Sequence, residues 1–342
     1  MTTGRGVLSV ELGSLEVFGA IFARGSRIRI RPGKRFPVYS PESRSSARVS
    51  GRLRVAIVKG DPIPRTWRSL PDLFLTLATP RVVVLGPTDS GKSALTTYLA
   101  NVSLNVSSRV GIVDGDPGQG DIGPPTCISG AMTTSATIDL RELAPTVMEF
   151  VGVTSPSLCP ELCVRAVSSV ANYFLSAGSD FLFLNTDGWV HEGGLEHKRR
   201  VLEAVGPDLV ITLGLSGDLS WLAPADAKLV VAEVPGGVLV RGQSTRYRIR
   251  LANLLRHLRK HKVLTLDPRM IRNPAKPERG TVLALMKEGK VKSLGVLDAI
   301  DAAGRVQAYC GTDEFDEVVM GSASVPEVLD RLREGGRYGV KR

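Results

Sequence analysis

Apolar positions change their spacing along the chain. Over residues 1 to about 70, short alternating runs (VLSVEL, LEVFGAIF, SRIRIR, RLRVAIV) are separated by Gly, Pro and Ser. That pattern predicts small antiparallel strands in a sandwich or barrel. DPIPRTWRSLPD reads as a linker or short helix leading onward. The runs then become continuously apolar: RVVVLG, RVGIVDGD, DFLFLNTDG, PDLVITLG and AKLVVAEV, each bounded by Gly, Asp or Asn. Segments of helical spacing, such as SALTTYLANV and CPELCVRAVSSVANYFLSAG, lie between most of them. Apolar strands alternating with helices predict a parallel sheet covered on both faces. After a basic helical stretch, ANLLRHLRKHK, alternation returns in VLTLDPRM and GTVLALMKEGKVKSLGVLDAIDAAGRVQAYC. The fold class expected is α/β, in three parts: a β domain over 1–70, an α/β domain over 71–262, and a β-rich domain over 263–342. No internal repeat and no low-complexity tail is visible.

Composition narrows the partners. The 342 residues carry 44 Lys plus Arg against 34 Asp plus Glu, a net charge of +10. A basic surplus favours anionic partners, nucleic acid or nucleotide first, with a merely basic surface as the plainer reading. Cys127, Cys159, Cys163 and Cys310 are too few and scattered for a disulfide framework, and no histidine or second close cysteine pair completes a zinc site around Cys159 and Cys163, so those two are expected in the core. No signal-peptide pattern opens the chain and no apolar run is long enough to span a bilayer. A cytoplasmic protein without a membrane partner (nuclear if eukaryotic) is the expectation.

RVVVLGPTDSGKSALTTYLAN carries the strongest motif. It matches G-x-x-x-x-G-K-[ST] from Gly86 to Ser93, with an apolar strand before and a helical segment after. Glycines let backbone N–H groups turn inward around phosphate oxygens, and the helix start adds its positive end. Gly86, Thr88, Asp89, Ser90, Gly91, Lys92, Ser93 and Ala94 are therefore the expected nucleotide-binding residues. Lys92 supplies a cation for the β- and γ-phosphates, and the Ser93 hydroxyl can ligate Mg²⁺. The 71–262 segment is thus a P-loop domain. No N-K-x-D guanine-reading sequence occurs, which counts against a switch GTPase.

The next strand runs into VGIVDGDPGQGDIGPP. Ligands of open parallel sheets bind at the carboxyl ends of strands, which is where Asp114 and Asp116 fall. One carboxylate can hold metal-bound water and the other can accept a proton from an attacking hydroxyl, while Gln119 can orient a phosphate or the nucleophile. A turn rich in Asp, Gly and Pro for local reasons is the plainer alternative. FLFLNTDG ends in Asn185 where many P-loop enzymes carry a metal-associated acid, and Asp187 is expected past the sheet edge. Metal handling is therefore assigned to Ser93 and the Asp114/Asp116 pair, Asp114 in particular.

GPTDSGKS, DGDPGQG, NTDGW and VVAEVPGGVLVRGQSTRYRIR together resemble the polynucleotide 5′-hydroxyl kinases, the family of the kinase subunit of pre-mRNA cleavage factor and of the pre-ribosomal-RNA-processing kinase. LEVFGAIFARGSRIRIRPGKRFPV is similar to that family's N-terminal β domain. The resemblance implies transfer of the γ-phosphate of ATP, or of GTP or another NTP, with Mg²⁺, to the 5′-hydroxyl of RNA or DNA. It implies Lys92 and Ser93 as phosphate and Mg²⁺ contacts, Asp116 and Gln119 as the acid-and-glutamine pair, and Asp114 beside them. It further implies Trp189 as a residue stacking on a substrate base, with Thr186 in the same motif. Arg241, Arg246 and Arg250 match lid arginines, and Lys34 matches a nucleotide-proximal lysine. The family's substrate clasp carries a threonine and an asparagine where this chain has Leu158 and Cys159, so polar clamping falls to Thr154, Ser155 or Ser157, with Ser155 taken as the substrate contact.

Physically, an arginine from a mobile lid can stabilise charge spreading over the γ-phosphoryl oxygens. Arg246 and Arg250, four apart, share one helix face. Arg248, Arg256, Arg259 and Lys260 are expected to meet solvent or nucleic-acid backbone, and the HKRR cluster from His197 to Arg200 to be a solvated helix face rather than a track for a phosphate backbone, the other reading it allows. Two functions remain: an active 5′-kinase, or a non-catalytic NTP-binding subunit of an RNA-processing complex.

Overall fold

In a computed structural model of the chain, which describes residues 1–42, 44–272 and 277–335, the alternating N-terminal runs form strands β1 (Thr2–Leu12), β2 (Ser14–Val17), β3 (Ala20–Ala23), β4 (Arg27–Ile30), β5 (Val38–Tyr39) and β6 (Ser46–Val55). β4, β1 and β6 make one antiparallel sheet, and β3, β2 and β5 a second. Leu8, Val10, Ile28 and Ile30 are buried while Arg27 and Arg29 are exposed, the period of two that strands impose. A Cβ at Gly4 would lie 2.2 Å from the Arg52 carbonyl oxygen, and one at Gly6 2.2 Å from that of Ser50. The β1–β6 ribbon closes this tightly only because both positions are glycine.

Beyond it come α1 (Arg65–Ser69), β7 (Arg81–Leu85), α2 (Lys92–Ser103), β8 (Val110–Gly115), β9 (Cys127–Thr133), β10 (Val147–Phe150), α3 (Pro160–Ser176), β11 (Phe181–Thr186), α4 (Gly194–Val205), β12 (Leu209–Leu213), β13 (Lys228–Ala232) and α5 (Gln243–His257). The last stretch adds β14 (Lys262–Leu266), β15 (Ile271–Arg272), β16 (Thr281–Lys287), β17 (Lys290–Ile300), β18 (Val306–Cys310), β19 (Glu317–Ser324) and α6 (Glu327–Gly335). Residues 336–342, the end of the expected C-terminal domain, lie outside the described residues.

Two compact units are assembled from separated segments. The first comprises Met1–Ile112, Met132–Leu143 and Phe174–Val240; the second comprises Val113–Ala131, Ala144–Tyr173 and Arg241–Arg342. In the first, β11, β7, β12 and β13 pair in parallel, in that order. Every residue of β11 and β12 is buried, as is β7 from Val82 to Leu85, the mark of strands covered on both faces. This is the parallel α/β arrangement expected from the apolar runs. Phe74 packs edge-on against Phe181 and Phe183. Asn101 of α2 donates to the carbonyls of Phe18 and Thr137, both at 2.7 Å, and so ties the N-terminal strands to the helix after the P-loop.

In the second unit, six strands in the order β14-β18-β17-β16-β19-β15 form a mainly antiparallel sheet. Val282, Ala284 and Val296 of that sheet share a core with Leu254 of α5, Leu258 just past its end, and Val328, Leu329 and Leu332 of α6. β9 and β10 pair antiparallel in the same unit. Among the described residues, no helix is long and apolar enough to cross a membrane. Cys127, Cys163 and Cys310 are buried and Cys159 is half-buried, all four as free thiols.

Candidate active site

The P-loop lies in the first unit, between β7 and α2. Its turn depends on glycine. Gly86 has φ 154°, and a Cβ there would lie 2.3 Å from the Leu213 carbonyl oxygen. Gly91, with φ 97°, is the residue from which α2 starts, so Lys92 and Ser93 occupy the helix's first turn. Asp89 also takes a left-handed φ, 59°, which its short polar side chain tolerates. Lys92 is buried, and its Nζ donates to the carbonyls of Gly86 at 2.9 Å and Pro87 at 2.7 Å. The ammonium is thereby folded across the loop it serves. Ser90 Oγ is buried with no hydrogen-bond partner among the described residues. A polar atom left so inside a phosphate-binding turn fits a nucleotide as its partner.

NTDGW crowds this loop. A Cβ at Gly188 would lie 2.3 Å from Thr88 Oγ1 and 2.7 Å from Thr88 N, so only glycine admits the approach. Asn185 Nδ2 reaches Ser93 Oγ at 3.3 Å. Thr186 is buried, and its hydroxyl donates to the Val84 carbonyl at 2.9 Å, which turns this expected substrate contact into the sheet. Trp189 is half-buried rather than fully exposed, its ring 5.5 Å from that of His197. Its backbone N–H donates to Asp187 Oδ1 at 2.8 Å.

Asp187 directly follows Thr186, the last residue of β11, and so lies past the strand's end as expected. It is buried and ion-paired to Lys198, which is 0% exposed, with His197 Nε2 also 3.8 Å away. The HKRR cluster is therefore split. His197 and Lys198 are buried beneath the tryptophan loop, while Arg199 and Arg200 pair outside with Glu196. A signal for this was present: on α4, His197 and Lys198 fall in the buried stripe with Val201, Leu202 and Val205, spaced as one helix face.

Lys34 also lies in the first unit, its Nζ 3.0 Å from Asp139 Oδ1, and Arg141 grips the same carboxylate. Burial pushes the Asp139 carboxyl up, but Lys34 and Arg141 outweigh it and hold the group well below the usual carboxylate range.

The acidic loop lies in the second unit. Asp116 Oδ1 accepts from the backbone N–H groups of Gly118 and Gln119, both at 2.8 Å. Asp114 is 1% exposed, and its Oδ2 accepts from Asp121 N at 2.5 Å and Ile122 N at 3.0 Å. Burial, with the neighbouring Asp121 and Asp116 charges adding and the two backbone donors opposing, raises its carboxyl to about 7. A Cβ at Gly118 would lie 2.3 Å from the Thr154 carbonyl oxygen, which brings the clasp segment against this loop. There Ser155 Oγ and Ser157 Oγ are hydrogen-bonded at 2.8 Å.

Helix α5 holds the acidic loop from its own side. Gln119 Nε2 donates to the Arg246 carbonyl at 3.3 Å, Asn253 Nδ2 to the Gly120 carbonyl at 2.8 Å, and Arg256 Nη2 to the Asp121 carbonyl at 3.2 Å. Arg256, expected at solvent or nucleic acid, is thus a brace, and Asn253 is a site-supporting residue that the motifs do not reveal. Arg246 and Arg250 are half-buried on α5, and Arg241 is half-buried just ahead of it. Gln119 Oε1 is buried with no partner among the described residues, an acceptor left over by the local network.

Among the described residues, no group of three or more His, Cys, Asp or Glu could hold an ion on protein ligands alone. A Ser hydroxyl at the first turn of α2, next to a phosphate-directed lysine, fits a Mg²⁺ ion that takes most of its other ligands from nucleotide oxygens and water.

Comparison with known proteins places the P-loop segment in a family. The family described as "mRNA cleavage and polyadenylation factor CLP1 P-loop" matches residues 86–260. A polyribonucleotide 5′-hydroxyl-kinase of Pyrococcus furiosus is 31% identical over 199 residues, covering 57% of this chain and 55% of its own. One from Methanocaldococcus jannaschii is 34% identical over 152 residues, covering 44% of this chain and 42% of its own. Human polyribonucleotide 5′-hydroxyl-kinase Clp1 is 28% identical over 266 residues, covering 71% of this chain and 62% of its own. The chain spans about half the length of the curated relatives it matches. In the structure of the wild-type Clp1p–Pcf11p (454–563) complex, a chain of similar fold superposes with a TM-score of 0.71 over 94% of both chains at 12% identity.

Proposed function

The chain belongs to the CLP1 P-loop family, and from that membership we propose that it is a polynucleotide 5′-hydroxyl kinase, moving the γ-phosphate of ATP or another NTP to the 5′-hydroxyl of RNA. The observation that carries this reading is Lys92, buried at the start of α2 with its ammonium held over the loop by the Gly86 and Pro87 carbonyls. On nucleotide binding, the ammonium exchanges those carbonyls for phosphate oxygens, and the backbone N–H groups of the loop and helix start hold the rest of the chain of phosphates. The Ser93 hydroxyl would hold a Mg²⁺ ion, which would supply positive charge to the phosphates. Asp116 takes the proton of the attacking hydroxyl, and Gln119 orients it. Arg246 and Arg250 supply charge to the γ-phosphoryl oxygens as the transition state forms, and Arg241 contacts the nucleic acid. Asp114, buried and bonded to two backbone N–H groups, shapes the loop and adds to metal handling. Trp189 stacks on the terminal base, with Ser155 contacting the same end of the substrate. Lys34 lies near the nucleotide. A protein partner in an RNA-processing complex belongs to the same reading, because the Clp1p structure above was solved with Pcf11p.

The test is removal of the cation. Lys92→Ala should fold as the parent does and lose phosphate transfer by several orders of magnitude. Near-normal transfer by the purified variant would refute the role given to the loop.

A further inference from the structure

The positive charge of the chain is not spread evenly. Residues 1–55 hold eleven Lys and Arg against three Asp and Glu, whereas the other 287 residues hold 33 against 31. Strand register gathers much of this charge on one surface. Ile28 and Val49 both stand opposite Leu8; Leu8 and Ile28 are buried and Val49 is exposed. On the other face, Arg27 and Arg48 flank Ser9, Arg29 and Ser50 flank Val7, Arg52 stands opposite Arg5, and Arg54 opposite Thr3. All six arginines are exposed. Arg48 is paired with Glu11 at 2.8 Å.

Arg5 directly opposite Arg52 is a like-charge cross-strand pair, an arrangement that works against the sheet unless an anion covers it. Guanidinium groups spaced about 7 Å apart along a strand (Arg27 and Arg29, Arg52 and Arg54) present a row of forks suited to phosphate oxygens. The other residues of the face are Thr3, Val7, Ser9 and Ser50, with the Glu11 carboxylate beside Arg48 at its edge. It thus offers no aromatic or large apolar anchor of the kind that carries protein–protein affinity, and no ring on which a base could stack.

We propose that the arginine face of β4-β1-β6 binds the phosphate backbone of RNA independently of sequence, as a contact additional to the 5′-end site. The choice of RNA over other polyanions rests on the kinase reading above; the anion-binding face does not. Binding is read by fluorescence anisotropy on an RNA of about 20 nucleotides carrying a 5′-phosphate, which cannot serve as an acceptor, across a range of salt. Relative to the parent, the triple variant Arg29→Ala/Arg52→Ala/Arg54→Ala should bind at least about tenfold more weakly near 0.1 M salt, with the slope of log affinity against log salt smaller by about 2. The variant with lysine at the same three positions should keep the slope, which separates loss of charge from loss of folding. Transfer to a 5′-hydroxyl dinucleotide, too short to reach along the sheet, should be unchanged in the alanine variant. Unchanged affinity and slope in the alanine variant would overturn the proposal. So would polyglutamate of equal charge binding the parent as tightly as RNA does, since that outcome makes the ligand an acidic protein. If the parent transfers no phosphate while the alanine variant still loses RNA binding, the kinase reading fails and the face stands.

Discussion

Lys92 and Lys198 show how differently two lysines of one unit can be read from sequence. Lys92 sits in a motif whose spacing states its job, whereas Lys198 hides in a charge run that resembles a solvated helix face. Its burial was nonetheless written in the periodicity of α4, where it shares a stripe with Val201 and Leu202. Removing one partner of a buried pair leaves the other uncompensated, so Lys198→Ala should cost about 3–5 kcal/mol of stability. Asp187→Asn together with Lys198→Met should recover much of that loss. Thermal melts of both variants and the parent check this, and a Lys198→Ala protein within about 0.5 kcal/mol of the parent would show the pair to be unimportant. Trp189 depends on the same pair through its N–H bond to Asp187. Trp189→Ala should therefore lower the melting temperature moderately and raise the Michaelis constant for oligonucleotide, by about 1–3 kcal/mol in binding terms, with that for NTP unmoved. A change confined to stability would remove the stacking role.

Helix α5 was legible as a basic helix, but not as an element built into the C-terminal core. Leu254 and Leu258 bury against α6 and the six-stranded sheet, while Asn253 and Arg256 grip the acidic loop. The arginines are thus presented by a helix anchored along its own length. Asn253→Ala removes one of the contacts between helix and loop, and should lower kcat about tenfold with little change in nucleotide affinity. Equal losses in both would mean that the contact serves binding. The same helix carries a pH signature. Burial, then the neighbouring Arg256 charge, lowers the His257 imidazole from 6.5 to about 4. The unfolded chain therefore takes up the proton first, and stability that is full above pH 6.5 is lost as pH falls towards 4, by up to about 3 kcal/mol. His257→Gln should flatten that limb in a urea-unfolding series across pH, and an unaltered limb would assign the acid sensitivity elsewhere. Strands β7, β8, β11, β12 and β13 coincide with the five apolar runs of the sequence. β9 and β10 were not legible, because CISGAMT and VMEF are short, mixed runs without turn punctuation between clear strands.

At the scale of the whole molecule, alternation and motif order disclosed the fold class, yet the grouping of segments was hidden. The first unit draws together three stretches of chain and the second another three, joined by contacts that no local pattern encodes. The charge of the N-terminal strands was visible in composition only as part of a global surplus. Register was needed to place six arginines on one face. The proposed reaction moves a γ-phosphate from NTP to a 5′-hydroxyl. The direct measurement offers the protein γ-labelled NTP with Mg²⁺ and two RNAs of one sequence, ending in a 5′-hydroxyl or a 5′-phosphate. Label should appear on the 5′-terminal nucleotide of the first RNA alone, released by phosphatase, and should be lost with Lys92→Ala. NTP hydrolysis without labelled RNA, or equal labelling of both RNAs, would contradict the account.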